Sequence, residues 1–351
     1  MTKIKTVLEV GTYETRLLTF ESASSGEIHL KKCLSVNTPK DYVASTYIEL
    51  PIMDEVPIKT NISSLIKGAG ISRDNVLLLL PDHAAISEML IAPPKYSSKE
   101  MEEAVREDLE PMMPLPYDNW YVVHKSLGTF EDDEITYIMA ILKSNLLEIG
   151  GIVQKTGLNP VVIDTNFLNT ANLIEDYLTS NDNKGKNICM VHLGHESTSI
   201  GIFRDGLLKS MQNRPVGGYD FTRQISRHFH VAEEDADQFK RNEVFFLPEF
   251  TPEQDTQYNY SVIKNIFTAL CREIFSAIEV YLTKFREFTI HEIIISGGGA
   301  NFENISVLLA ANLNTPVRRI CDLYQLYSNG NPVSDAEKNS LAAACGCFMR
   351  E

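Results

Sequence analysis

The chain has 351 residues, 44% of them hydrophobic and 23% charged, the balance of a folded protein long enough for more than one core. Its formal net charge of −15 repels a phosphate backbone, which excludes nucleic acid as a partner, and no apolar run approaches the roughly 20 residues that span a bilayer. The cysteines Cys33, Cys189, Cys271, Cys321, Cys345 and Cys347 lack the spacing of a zinc site, and Glu9 interrupts the first apolar run where a leader would be uncharged, so reduced core thiols and a cytoplasmic location are expected.

The first element, VLEVGTYETRLLTFE at 7–21, is two apolar strands meeting at Gly11, and IHLKKCLSV at 28–36 adds a third. Leu65 to Ile71 ends a short helix at Gly68 and Gly70, and NVLLLLP follows as a buried strand. Ser97 and Glu100 make a capping box for a helix whose Met101, Ala104, Val105 and Leu109 share one face. Pro111, Pro114 and Pro116 end that helix, and WYVVHKSLG and EITYIMAILK read as a hairpin around an acidic loop at 131–134. A helix over about 144–156 leads to another buried strand in GLNPVVIDTN, and residues of roughly 88–160 are expected to form a small α/β insertion.

The second half echoes the first. MVHLGHESTSIGIFR at 190–204 has the same grammar: a polar residue before a glycine (Glu9 and Gly11, His192 and Gly194), a threonine at matched spacing (Thr15, Thr198), and a second strand. GLLKSMQNR at 206–214 supplies the third strand again. Either turn alone is equally a plain tight hairpin; repeated, they predict two similar domains whose glycine turns bring backbone N–H groups toward one phosphate-bearing ligand. Helices are expected over 219–229 and 233–241, and a long amphipathic one over about 261–285 with Val262, Ile266, Leu270, Ile274, Ile278 and Tyr281 along its core stripe. HEIIISGGGANFENISVLLAANL then reads as strand, triple-glycine turn and helix, capped by Asn301 or Asn304, and SLAAACGCF as a closing helix of small residues. Bare backbone at Gly297–Gly299, and less so at Gly217 and Gly218, suits close approach to a ligand, whereas no P-loop or Rossmann motif occurs.

This order of two hairpin turns and a strand–GGG–helix unit resembles the actin/Hsp70/sugar-kinase superfamily, and more finely the PilM family of type IV pilus assembly proteins, relatives of FtsA. LEVG at 8–11, PPKYSSKEMEEAVREDLEPMMPLPYDNWYVVHKSLG at 93–128, GLNPVVIDTN at 157–166, VGGYDFTRQI with ADQFKR within 216–241, and SGGGANFEN at 296–304 carry the resemblance. It implies an α/β, actin-like (ribonuclease H-like) two-domain fold with an inserted α/β subdomain of FtsA/PilM type. The first domain would be 1–87 completed by 161–180 and about 328–351, the insertion 88–160, the second domain 181–220 with 291–327, and its helical/β subdomain 221–290.

The resemblance also implies ATP and Mg²⁺ as ligands. Glu9, Gly11 and Thr12 fall on the first phosphate turn, and Gly194, Ser197 and Thr198 on the second. Gly217 and Gly218 line the cleft, Asp237 falls where an acid holds ribose hydroxyls, Lys240 flanks the adenosine, and Gly297, Gly298, Gly299 and Asn301 make the adenosine turn. His192 departs from the family, which has aspartate there to hold the hydration shell of Mg²⁺ or to orient water. Imidazole replaces a carboxylate poorly, so no efficient ATPase is expected; a histidine bonded to phosphate, a cleft without nucleotide and a core-facing histidine stay open.

The implied role is a cytoplasmic scaffold, recruited to the inner face of the cytoplasmic membrane without inserting into it, that links the pilus platform to motor ATPases and self-associates. The implied partner is the N-terminal cytoplasmic segment of a PilN-like membrane protein, lying in a groove lined by Met101, Val105, Leu109 and Tyr121. The alternatives are a slow ATPase or small-molecule kinase, an FtsA-like division protein, which would end in a basic membrane helix rather than FMRE, and a type II secretion component, which would continue into a membrane-spanning helix.

Overall fold

A computed structural model describes residues 4–22, 27–39, 55–93, 96–130, 132–242, 251–253 and 260–350. Strands β1 (Ile4–Val10), β2 (Glu14–Ser22) and β3 (Ile28–Asn37) form the first antiparallel meander. β4 (Val76–Leu80) and then β8 (Pro160–Thr165) extend it in parallel from β1, while β14 (Leu326–Ser328) and β15 (Asn331–Pro332) extend it beyond β3. All five residues of β4 are buried, because a central parallel strand is covered on both faces. The strand in GLNPVVIDTN departs from its reading as buried. It is the sheet's edge, and Val161 is 52% exposed.

The second sheet repeats the pattern with β9 (Asn187–Leu193), β10 (Thr198–Arg204) and β11 (Leu207–Arg214), to which β12 (Glu292–Ser296) and β13 (Val317–Arg319) add in parallel. A third sheet orders β5 (Ile86–Ala92), β7 (Asp133–Leu142) and β6 (Trp120–Phe130), all antiparallel. Gly128 leaves space that Leu207 of β11 fills; an added Cβ would meet that side chain at 3.1 Å, so the β6 strand leans on the second sheet.

Helix α1 (Glu55–Ile66) buries Ile58 and Ile62 against Leu8, Val10 and Leu78. In α2 (Ser98–Leu109) the expected capping box is present: the Glu100 N–H donates to the Ser97 hydroxyl, and the Ser97 N–H donates to the Glu100 carboxylate at 2.7 Å. Helix α3 (Lys143–Lys155), read from the sequence with the insertion, packs Ile149, Ile152 and Val153 into the α1 core. Then come α4 (Asn166–Leu173), α5 (Glu175–Leu178), α6 (Gly218–Phe229), α7 (Glu233–Asn242) and α8 (Tyr260–Phe285). Leu270, Ile274, Ile278 and Tyr281 of α8 join the core of the second sheet and Ile266 packs at its margin, while the Val262 side chain lies outside the described residues. Among the described residues no helix is long and apolar enough to cross a membrane.

Helix α9 (Ile305–Leu313) begins after Asn304, whose side chain makes no capping bond because the residue adopts left-handed backbone. Neither asparagine caps the helix; Asn301 bonds elsewhere. The closing helix α10 (Asp335–Met349) is small-sided for a steric reason: a Cβ on Gly346 would overlap the Asn169 carbonyl of α4 at 1.7 Å. These two helices lie in a core that takes Val7 and Leu79 from the first sheet and Met190 and Ile294 from the second. All six thiols are unpaired, and five are buried; Cys33, on β3, is exposed instead of core-facing.

Candidate functional site

The carboxyl ends of β1, β9 and β12 carry turns singled out in the sequence, with the end of β4 beside them, the end of an open α/β sheet where ligands bind. The two hairpins close alike. The Gly11 N–H donates to the Glu14 carbonyl at 3.1 Å and the Gly194 N–H to the Ser197 carbonyl at 2.9 Å. A Cβ on either glycine would stand 2.9 Å from that same carbonyl, so both turns require glycine for space. Thr12 is half-buried in the first of them.

The threonine below each turn is fully buried and acts as a strut. The Thr15 hydroxyl meets that of Thr38 at 2.9 Å, which donates on to the Gly11 carbonyl at 2.8 Å; Thr198 donates to the Val216 carbonyl at 2.6 Å. Each ties its hairpin to the chain just beyond the third strand. The Thr198 hydroxyl is thus spent inside the fold.

The glycine steps pack onto the second turn. Gly218 N–H donates to the Gly194 carbonyl at 3.0 Å, and a Cβ on Gly217 would strike the His195 carbonyl at 2.4 Å. Gly297, with φ of 84°, and Gly299 lie tight against Leu193, whereas Gly298 has nothing within 4 Å of an added Cβ. Gly298 alone of the triplet presents open backbone. Asn301 is a structural residue, donating to the Ala336 carbonyl at 2.9 Å and accepting from Asn339 at 2.9 Å.

At the end of β1 Glu9 is buried beside Arg16 at 3.3 Å, and Arg16 also holds Glu14 at 2.7 Å. His192 is buried with Nδ1 3.1 Å from the Ser296 hydroxyl; burial lowers its pKa against the opposing pull of Asp82 and Glu9, which keeps the ring neutral. Two residues at the end of β4 escaped the sequence reading. Asp82 accepts from the Phe167 N–H at 2.8 Å and the Ser199 hydroxyl at 2.6 Å, stapling the first sheet to the second, and His83 Nδ1 stands 2.9 Å from Ser197 Oγ. Their only signal was a charged pair following an apolar strand.

At the opposite end Asp237 accepts from the Tyr13 hydroxyl at 2.9 Å, from Lys240 at 2.7 Å and from Arg241 at 2.8 Å. Burial raises its pKa, but the bonds and charges of Lys240 and Arg241 outweigh that and bring it to about 2. Lys240 is itself buried, donating to the Gly218 carbonyl at 3.1 Å and Thr222 at 2.6 Å. Arg241 lies over the Tyr13 ring at 4.5 Å, and the His195 ring stands between Tyr13 at 5.0 Å and Tyr219 at 5.1 Å. Tyr13 and His195 were inside the quoted hairpins but were not singled out.

This donor set suits some parts of Mg–ATP better than others. Two glycine turns, the open face of Gly298 and the Asp237 carboxylate fit phosphate oxygens and sugar hydroxyls. A hard divalent cation needs oxygen ligands, yet Glu9 is tied to Arg16, Asp82 to Phe167 and Ser199, and position 192 is an imidazole. The magnesium ion does not fit this donor set.

The expected partner groove is corrected at three of its four residues. Met101, Val105 and Leu109 are buried with Trp120, Ile138, Ala140 and Leu142 as the core of the third sheet, because an amphipathic helix spends its apolar stripe on the sheet beneath it. Tyr121, 52% exposed, does face out, and so does Val123, 44% exposed, one pleat along β6. Opposite them on β7 are Ile141 and Met139, which pack into the α1–α3 core. A separate cleft of about 820 Å³ opens between β5 and β11, with His83, Met89, Ser197 and Arg214 in its wall.

A family model described as type IV pilus assembly protein PilM matches residues 8–351. Among solved structures, the PilM–PilN type IV pilus biogenesis complex overlays with a TM-score of 0.80 at 21% identity, covering 99% of this chain and 98% of that one. The ethanolamine utilization protein EutJ of Carboxydothermus hydrogenoformans follows at 0.55 and 12%, covering 99% and 89%, and MreB5 of Spiroplasma citri bound to AMPPNP at 0.53 and 11%, covering 99% and 95%. The cell division protein FtsA of Bacillus subtilis (strain 168) is 24% identical over 155 residues, 40% of this chain, so the chain spans about a third of that relative (34%). The shared fold is the actin-like ATPase fold.

Proposed function

The chain belongs to the PilM family of type IV pilus assembly proteins, and from that premise we propose that it is an actin-like scaffold at the inner face of the cytoplasmic membrane, linking the membrane platform of the pilus machine to its motor ATPases. Its membrane-side partner is the N-terminal cytoplasmic segment of a PilN-like protein. Support comes from a single feature: the outward-facing pair Tyr121 and Val123 on β6, an outer strand of its sheet, beside the α1–α3 core. Among the described residues β6 pairs only with β7, so its other edge offers backbone N–H and C=O groups to an added strand, and the two side chains give that strand apolar anchors. The solved relative is itself a PilM–PilN complex.

The interdomain cleft is read as a site for ATP, held rather than turned over, because position 192 lacks the carboxylate that would manage magnesium or water. Its chemistry is recognition of a sugar and phosphates by Asp237, Gly298 and the two glycine turns.

Fluorescence anisotropy of a labelled peptide copying the N-terminal segment of a PilN-like protein tests the scaffold reading. The double variant Tyr121→Ala, Val123→Ser should weaken binding by about tenfold or more, the scale of losing a buried aromatic anchor. Phe288→Ser, at a side chain 95% exposed beyond α8, should change nothing. Equal affinity in all three proteins would remove β6 as the docking strand.

A further inference from the structure

One contact ties the tip of the first hairpin to the far side of the cleft. Tyr13 lies in the β1–β2 turn of the first sheet, and its hydroxyl donates at 2.9 Å to Asp237 on α7, which packs with α6 over the second sheet. Its ring is flanked by Arg241 at 4.5 Å and by His195 at 5.0 Å, and the remaining oxygen capacity of Asp237 goes to Lys240 and Arg241. A hydrogen bond to a charged acceptor and a cation over an aromatic face are both stronger than their neutral counterparts, and here they act on one side chain.

We propose that Tyr13 is the latch of the interdomain cleft: it holds the two domains closed by gripping Asp237, and a sugar hydroxyl that bonds the same carboxylate must first displace it, so the closed latch and a bound adenine nucleotide exclude each other. The exclusion rests on the reading of the cleft as a nucleotide site; the latch does not. The hairpin echo gives a reason for the asymmetry. The second turn carries Glu196 at the position matching Tyr13, 3.9 Å from His83 at the end of β4, while His195, one residue earlier, lies tilted between Tyr13 at 5.0 Å and Tyr219 at 5.1 Å. Asp237 takes neutral donors from Tyr13 and, at 3.4 Å, from Thr222 of α6, and two cations on its own helix, so of its hydrogen bonds only the one from Tyr13 joins the two sheets.

The test uses the full chain with nitroxides on Cys33, exposed on β3, and on Arg227→Cys, exposed on α6, so that pulsed electron paramagnetic resonance reads the distance between domains. Calorimetry with ADP, and with ATP plus Mg²⁺, reads binding by the same proteins. Tyr13→Ala is expected to broaden and lengthen the distance distribution and to tighten ADP by about tenfold, the scale of one hydrogen bond to a charged group. Tyr13→Phe, which keeps the ring and loses the hydroxyl, should move both readouts in the same direction by less. A distribution unchanged in Tyr13→Ala overturns the latch. ADP bound equally by native protein and Tyr13→Ala overturns the exclusion, and weaker binding by Tyr13→Ala shows the ring to be part of the site. No binding by any variant, together with a broadened Tyr13→Ala distribution, rejects the nucleotide reading and upholds the latch.

Discussion

The imidazole of His192 and the hydroxyl of Ser296 face each other across the parallel β9–β12 ladder, paired in register and 3.1 Å apart. The ring is buried and neutral, with Asp82 and Glu9 close enough to pull its pKa upward. His192→Asp would place a third carboxylate among them. Without a cation it is expected to destabilise the protein by about 2 kcal/mol, the scale of a buried polar group with an unmet need. Millimolar Mg²⁺ should restore the loss. Thermal unfolding of native and variant proteins with and without Mg²⁺ checks this, and a variant indifferent to Mg²⁺ would refute it.

The pH response of stability should carry the mark of His195. Burial, with Lys240 next, lowers its pKa from 6.5 to about 4 in the folded protein. Between those values the unfolded chain binds the proton and the folded one does not, so stability is full above pH 6.5 and falls as the pH drops toward 4. The ceiling is about 3 kcal/mol. Urea midpoints at pH 7 and pH 5 for native protein and His195→Gln decide it; the variant should show the flatter response.

Glycine substitutions should separate packing from access. Gly346→Ala meets the Asn169 carbonyl at 1.7 Å and should cost about 3 kcal/mol or more in chemical denaturation. Gly298→Ala meets nothing within 4 Å and should stay within about 0.5 kcal/mol of native stability. Its effect should appear in calorimetry, as weaker ADP binding, because the added methyl occupies the one open backbone face of the triplet.

Leu109 and Tyr121, read together from the sequence as groove residues, should behave oppositely. Leu109→Ala removes a fully buried side chain and should lower stability by about 3 kcal/mol. Tyr121→Ala should leave the urea midpoint unchanged and weaken the peptide titration.

What the sequence made legible was periodic or local. The paired meanders, the Ser97–Glu100 box, the long α8 stripe and the small-sided α10 all follow from spacing that one element imposes on itself. The misplacements share a different cause. The stripe Met101–Val105–Leu109 has the same spacing whether it meets a peptide or a sheet, and GLNPVVIDTN is equally apolar at a centre or an edge. Tyr13 gains its role only because α7, far along the chain, delivers Asp237 to its hydroxyl. Asp82 and His83 are likewise defined by partners on β10 and in the second turn. No local window contains such pairs.

The lean of β6 on the second sheet, where Leu207 fills the space beside Gly128, has a mechanical consequence. One strand carries Tyr121 near its start and this contact near its far end, so it spans from the partner-facing surface to the domain that would swing when Tyr13 lets go. Were a partner seated at Tyr121, traction on it would reach β11 through this strand, and a swing of the second sheet would twist the strand the partner holds. Leu207→Ala is the place to measure it: slackening that joint should leave both ends intact while uncoupling interdomain distance from peptide affinity.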